Sequence, residues 1–444
     1  MALLAVGTAV MACRTEAAAP IPEPVRRSLL FIGIDGATWR VMGPLIEQGE
    51  LPTFERLVRE GAFMPDFATM ETTRSPTVWT TVATGREPSA HGITDYTARL
   101  PNGALIPVTS SQRRARAIWE LASRRGLTVG VIGWWASWPA EDVKGYVVSD
   151  HANPAFADLL KEDGRYWTAE TRELAMLGLD FLPVDLAPVL EGHWLPAGSF
   201  PWEDFRRRGG FTLPQVEALE RAPWNDRTVH SWLKTFYRVD YPLVRIAADL
   251  ARERPTDLQL VYLRGADPVQ HYGWDLVEPE LYARPPANLE RDRGLVESVY
   301  RYLDTFVSEL LASQRHGDWL IIASDHGAQA SPHARRPHLM DRPGDHPPGS
   351  KGILIVHGQH VRRGFRLEEA DPYDLFPTMA WLLGLPLSEE LPGRPLMEAF
   401  DDRFVNAWPV HKIPSYGPRP TGPLQRSPVD EGMVESLRAL GYVE

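Results

Sequence analysis

Residues Ser28–Trp39 read SLLFIGIDGATW, an unbroken apolar run that ends in Asp35 with a glycine close on either side. A run this short and continuous predicts a strand buried on both faces, as in the interior of a parallel sheet. The same pattern returns at Thr128–Ile132, Gln259–Leu263 (QLVYL), Trp319–Ala323 (WLIIA) and Ile353–Val356. Helical spacing fills the intervals. Arg114–Arg125 sets Ile118, Leu121 and Ala122 on one face, Leu295–Leu311 carries a stripe of Val299, Leu303, Phe306 and Leu310, and Asp374–Leu383 runs into Gly384 as a C-cap. Strands alternating with helices predict an α/β fold, with a mainly parallel sheet covered on both faces.

Ligands of open α/β sheets gather beyond the carboxyl ends of the strands, so the residues that follow each strand matter most. Asp35 follows the first. Arg264-Gly265-Ala266-Asp267 follows QLVYL, with His271 four residues beyond Asp267. Ser324-Asp325-His326-Gly327 follows WLIIA, and Gly344-Asp345-His346 lies shortly before the last strand. Singly, each has an ordinary reading. Asp35 suits a turn or helix cap, Asp325-His326 a capped loop, Asp267 and His271 an i,i+4 pair, and His346 an exposed loop. Gathered at one rim they form a set of carboxylates and imidazoles, the donors that suit zinc, with manganese as the alternative.

The 444 residues include 47 Lys and Arg against 58 Asp and Glu, a formal net charge of −11. That balance argues against a nucleic-acid scaffold, which needs a basic face. An anionic substrate then requires a local source of positive charge, such as bound cations. With 43% hydrophobic residues the chain can bury a large core, and 35 Gly with 40 Pro fall short of a low-complexity composition. The single cysteine excludes a disulfide framework and a cysteine-rich zinc site.

That cysteine, Cys13, follows the uncharged stretch MALLAVGTAVMA. The stretch is too short to span a bilayer and suits a signal-peptide core. Val10-Met11-Ala12-Cys13 resembles a bacterial lipobox, although no Lys or Arg precedes the apolar run. The expectation is an exported protein, periplasmic or held at the envelope through lipidated Cys13, with residues 1–27 forming leader and Pro-rich tether. Residues 28–150 and 228–400 read as two parts of one core, 151–227 as an inserted cap rich in Trp, Pro, Arg and Glu, and 401–444 as a C-terminal tail.

Taken in order, GIDGATW (Gly33–Trp39), RSPTVWTTVATGREPSAHGI (Arg74–Ile93), GWWASWPAE (Gly133–Glu141), RGADPVQHYGWD (Arg264–Asp275), SDHG (Ser324–Gly327) and GDHPPGSKGILIVHG (Gly344–Gly358) resemble the alkaline phosphatase superfamily, in its type I phosphodiesterase and nucleotide pyrophosphatase branch. The closing segment Asp371–Leu396 fits as well. The resemblance implies a three-layer α/β/α sandwich with an inserted cap, and a two-metal hydrolase of phosphate esters, chiefly diesters. It assigns one divalent metal to Asp35, Asp325 and His326 with the nucleophile oxygen as a further ligand, and the second to Asp267, His271 and His346. The family places a Ser or Thr nucleophile ten residues before the glycine of a Thr-Gly pair. Counting back from Gly85 reaches Ser75, with Thr72, Thr73 and Thr77 as neighbouring hydroxyls. Ser75 reads equally as the N-cap of the helix that Pro76 begins. Arg74 is the candidate partner of a substrate phosphate oxygen, or a solvated neighbour.

This sequence departs from the branch at Val78, where an Asn usually helps to bind the transferred group. A nucleotide substrate is thereby placed in doubt. His91 reads as structural. Trp134, Trp135 and Trp138 read as core aromatics or as a stacking platform. The remaining alternatives are a metal-dependent phosphomutase or phosphomonoesterase, a sulfatase, for which Ser75-Pro76 lacks the accompanying motif, and a binding protein that keeps the metals without turnover. Sequence leaves the oligomeric state open.

Overall fold

A computed structural model describes residues 28–152, 179–195, 199–224, 226–314, 319–336, 338–340 and 342–443. The leader, Cys13 and tether lie outside these, as do residues 153–178 of the stretch read as a cap. No helix among the described residues is long and apolar enough to cross a membrane.

Nine strands form the main sheet: β1 (Leu29–Ile34), β2 (Ala62–Phe67), β3 (Val129–Ile132), β4 (Gly145–Val148), β5 (Phe181–Leu182), β6 (Leu258–Leu263), β7 (Trp319–Ala323), β8 (Gly352–His357) and β9 (Phe365–Arg366). Their spatial order is β9-β2-β8-β7-β1-β6-β3-β4-β5. From β7 to β4 neighbours run parallel, whereas β8 is antiparallel to both β7 and β2, and β5 is antiparallel to β4. Register decides where the chemistry goes. Ile34 pairs with Leu263 and Gly33 with Ala323, so β1, β6 and β7 end level. Asp35, Arg264 and Ser324-Asp325 therefore emerge side by side.

Side chains alternate across β1, as the pleat requires. Leu30, Ile32 and Ile34 join the core made with helices Val229–Glu253 and Leu295–Ser313. Leu29 and Phe31 join the opposite core, built with helices Ser75–Thr84, Ile118–Arg124 and Pro372–Leu382. The result is an α/β/α sandwich. The stripe Val299, Leu303, Phe306 and Leu310 is buried as the spacing implied. The helix expected over Arg114–Arg125 begins only at Ile118. Tertiary partners claim the preceding residues: Arg114 N–H donates to His91 O at 2.9 Å, and the buried Arg113 guanidinium is paired with Glu141.

Trp134 and Trp138 are core residues. Trp134 packs edge-on against Trp79 and Phe31, and Trp138 stacks on His151. Trp135, also buried, instead reaches the rim, where its indole N–H donates to Tyr262 Oη at 2.8 Å. His91 is wholly buried between Thr81 Oγ1 (3.0 Å) and the Ile93 amide (3.1 Å), a structural position.

Asp240, on the Val229–Glu253 helix, accepts the Arg264 N–H at 3.0 Å through one oxygen, while its other oxygen is buried without a hydrogen-bond partner. Burial pushes this carboxyl up to about 7, against the pull of the Arg264 amide. An unfolded Asp titrates near 3.9, so between about pH 4 and 7 the folded state holds more protons than the unfolded. Stability therefore falls as pH rises through that window. Asp240→Asn keeps the acceptor for Arg264 N–H and removes the ionisation. Thermal melts should show it several degrees more stable than wild type at pH 8, with the gap closing toward pH 4.

Candidate active site

Asp35 leaves the end of β1 through Gly36, which has φ +68° and abuts the Asp267 backbone, where an added Cβ would come within 2.9 Å of Asp267 Cα. Only glycine meets both demands. The Gly36 N–H donates to Asp325 Oδ1 at 3.2 Å, tying the ends of β1 and β7 together. Asp35, Asp325 and His326 converge there, their ligand atoms all within 4.8 Å of one another. His326 Nε2 stands 3.5 Å from Asp35 Oδ1 and 3.4 Å from Asp325 Oδ2.

A second group joins Asp267, His326 and His346 on the same criterion. The two groups share His326, whose ring stacks on that of His346 with centroids 3.9 Å apart. His271, one turn beyond Asp267 on helix Ala266–Val277, places Nε2 3.2 Å from Asp267 Oδ1 and anchors Nδ1 on Gly344 O at 3.0 Å. It touches Asp267 but belongs to neither convergent group.

Ser75 is the first residue of its helix rather than the N-cap, which is Arg74. Its Oγ lies 3.4 Å from Asp35 Oδ1, and its N–H donates to Tyr96 Oη at 3.4 Å. Pro76 has no N–H, and the Thr77 and Val78 amides both return to Arg74 O. The helix start thus offers an incoming oxyanion its dipole but few free donors.

Arg74 is half exposed and pairs with Asp95 at 3.5 Å, lining a neighbouring cleft with Thr72, Thr73 and His346. Arg264 shares the cavity of Ser75 and Asp35, its guanidinium 4.4 Å from the Trp135 ring centroid. Sequence alone gives this arginine no role, although its place directly after β6 is the available signal. Trp135, Phe236, Tyr262, Met433, Leu437 and Leu440 are among the residues that line the cavity.

The electrostatics are those of a crowded, buried carboxylate site. Burial, followed by repulsion from Asp325 and Asp267, raises Asp35 well above the usual carboxylate range. Burial likewise raises Asp325. Burial also acts upward on Asp267, but the charge of His271 and its hydrogen bond prevail and hold that carboxyl low. Burial, then the neighbouring His326, drives His346 well below its ordinary value. Tyr262 donates a hydrogen bond to Asp35 Oδ2. Asp325 Oδ2, His326 Nε2 and His346 Nδ1 are buried with no hydrogen-bond partner. Unpaired polar atoms at this depth are costly, and a divalent cation would satisfy the two that face the acidic groups.

A stretch of 146 residues is 32% identical to a 2,3-bisphosphoglycerate-independent phosphoglycerate mutase of Cereibacter sphaeroides, spanning 32% of this chain but only 24% of that protein. Among solved structures, murine ectonucleotide pyrophosphatase / phosphodiesterase 5 aligns over 84% of this chain and 100% of its own, at 14% identity and a TM-score of 0.47. The phosphonoacetate hydrolase of Sinorhizobium meliloti aligns over 69% of this chain and 57% of its own, at 14% identity and a TM-score of 0.37. The family model for type I phosphodiesterase / nucleotide pyrophosphatase matches residues 29–357, a span that contains every candidate ligand and Ser75. The chain belongs to the type I phosphodiesterase / nucleotide pyrophosphatase family.

Proposed function

We propose that this protein is a two-cation phosphodiesterase working through a phosphorylated Ser75. The observation that carries the reading is the convergence of Asp35, Asp325 and His326 on one side, and Asp267, His326 and His346 on the other, beside the Ser75 hydroxyl. The residues fit the cations. The buried oxygen of Asp325 and the buried Nε2 of His326 lack partners, and imidazole with carboxylate is a zinc donor set, manganese being the alternative. Asp35, Asp325 and His326 would hold one ion, with Ser75 Oγ as a further donor; Asp267 and His346 would hold the second, and His271, outside the convergent group but 3.2 Å from Asp267 Oδ1, would complete it. Bound there, divalent ions supply Lewis acidity to the serine hydroxyl and neutralise charge on the transferring phosphoryl group.

The chain's own residues do the rest. Ser75 Oγ attacks phosphorus, the bond to the leaving alcohol breaks, and water later cleaves the phosphoserine. Asp35 and Tyr96 position Ser75 through its hydroxyl and its amide. The Arg264 guanidinium lines the same cavity and can receive a non-bridging oxygen, a role better matched to its place than to that of Arg74. Val78, wholly buried, offers no side-chain donor to the transferred group, so the cations and Arg264 carry the charge.

A phosphomutase is the second reading, favoured by the match to the mutase segment. A panel of aryl phosphodiester, phosphomonoester, sulfate ester and phosphosugar substrates separates the two. We expect cation-dependent turnover greatest on the diester. Transfer of phosphate between hydroxyls of a sugar, with none released to water, would overturn the hydrolase reading.

A further inference from the structure

Tyr442 enters the second trio from a segment near the other end of the chain. Its hydroxyl oxygen is 2.5 Å from Asp267 Oδ2, 2.6 Å from His271 Nε2 and 3.1 Å from His346 Nε2. Donors around a tetrahedral zinc, each about 2.0–2.1 Å from the ion, stand roughly 3.3 Å from one another. Asp267 Oδ1 keeps close to that spacing, 3.2 Å from His271 Nε2 and 3.5 Å from His346 Nε2. The hydroxyl lies nearer than a corner of such a polyhedron, so it fills the interior of the trio, where the ion belongs. Phenol and cation exclude each other.

The rest of the segment covers the serine. Met433, Ser436, Leu437 and Leu440, from helix Asp430–Ala439 and the turn after it, line the cavity that holds Ser75 and Arg264. Tyr442 stacks on Tyr96 with centroids 4.6 Å apart and rings 5° from parallel, and both rings line that cavity and the neighbouring cleft of Thr72, Thr73 and Arg74. The stacked pair therefore stands between the two. Tyr272 Oη donates to Ala439 O at 2.6 Å, the Arg227 guanidinium to Arg438 O at 3.3 Å, and Arg342 to Leu440 O, holding the segment down. Upstream the chain is pinned. Arg419 Nη1 donates to Ser110 O at 2.8 Å and Arg113 O at 2.7 Å, and the Gly422 N–H to Ser111 O at 2.9 Å. Between that anchor and the helix, Pro423, Gln425 and Arg426 are exposed and lie outside helix and strand. The segment thus has a fixed root and an exposed joint.

We propose that residues 429–443 form an autoinhibitory strap, which sets Tyr442 Oη in the place of the second cation and closes the Ser75 cavity until that cation displaces it. The proposal rests on the two-cation reading above. Linkage makes strap docking and binding of the second ion mutually weakening, by the same factor in either direction. The first ion, at Asp35, Asp325 and His326, stands apart from this competition, since the Tyr442 hydroxyl bonds to the other trio.

The test uses the full chain stripped of metal and titrated with Co(II), with competition against a chromophoric chelator giving stoichiometry and affinity. Tyr442→Ala should bind the second cobalt at least about tenfold more tightly than wild type and the first cobalt equally. Equal or weaker binding of the second ion by a variant with wild-type circular dichroism would overturn the proposal. Hydrogen exchange on the wild-type protein gives a separate answer that does not depend on the variant folding. Amides of residues 430–443 should exchange at least about tenfold faster after the second equivalent of cobalt but not after the first, while helix Leu295–Ser313 stays unchanged. Exchange in the strap that is unchanged or slowed by the second ion would overturn the proposal, because the segment would then stay docked over a loaded site. A single cobalt bound by wild type and Tyr442→Ala alike would overturn the two-cation reading, and this proposal with it.

Discussion

Ser75→Ala is expected to lower phosphodiester turnover at least about a thousandfold, on the order of 4 kcal/mol of transition-state stabilisation, while the protein stays folded and keeps its cation sites. Ser75 is buried at the start of its helix, with Oγ 3.4 Å from Asp35 Oδ1, so alanine removes one hydroxyl and leaves the carboxylates and imidazoles in place. The fold should hold because Ser75 is not the N-cap and its amide bond to Tyr96 is a backbone contact. Steady-state kinetics, circular dichroism and cobalt stoichiometry on one preparation check the three parts together. Near-normal turnover in Ser75→Ala with loss in Thr73→Ala or Thr77→Ala would move the nucleophile. Indifference in all three would remove the covalent step. Mass spectrometry of acid-quenched protein should find phosphate on Ser75.

Chelation is expected to have an effect at least as large. Without cations the site holds Asp35, Asp267 and Asp325 together in a buried pocket on a chain of net charge −11, a setting that repels a phosphodiester. Turnover should fall at least about a thousandfold after exhaustive chelation and return with zinc or manganese. Zinc should also raise the melting temperature, because an ion that binds only the folded state at a thousand times its dissociation constant adds about 4 kcal/mol. Undiminished activity in the chelated enzyme would refute the two-cation reading. A Tm indifferent to zinc would argue that the ligands are not engaged.

The central strands were legible to within a residue at either end, because strands buried on both faces must be continuously apolar, and that constraint is local. Strand β2, AFMPDF, was not legible. Its Pro and Asp disguise it, and its neighbours in the sheet, β8 and β9, lie near the other end of the chain. The helix start at Ile118 was likewise decided by partners distant in sequence, His91 and Glu141, against a periodic pattern that favoured an earlier start. Asp35, Asp267, His271, Asp325 and His326 could be picked out because each follows a strand end closely, and His346 because it stands just ahead of one.

By itself, the sequence determined the alternation of apolar strands and amphipathic helices, the family motifs in their order, and the acidic and imidazole residues at the strand ends. These are short-range properties: burial demands apolar runs, and a parallel sheet sends its loops to one rim. Tertiary structure alone decided which arginine shares the cavity with Ser75, that His326 belongs to both ligand groups, and that Tyr442 reaches Asp267 and His271 across 175 and 171 residues of chain. No local pattern encodes such contacts. They arise where strand register and helix packing bring distant segments to the same few ångströms, and a lone tyrosine in a polar tail carries no periodicity to announce it.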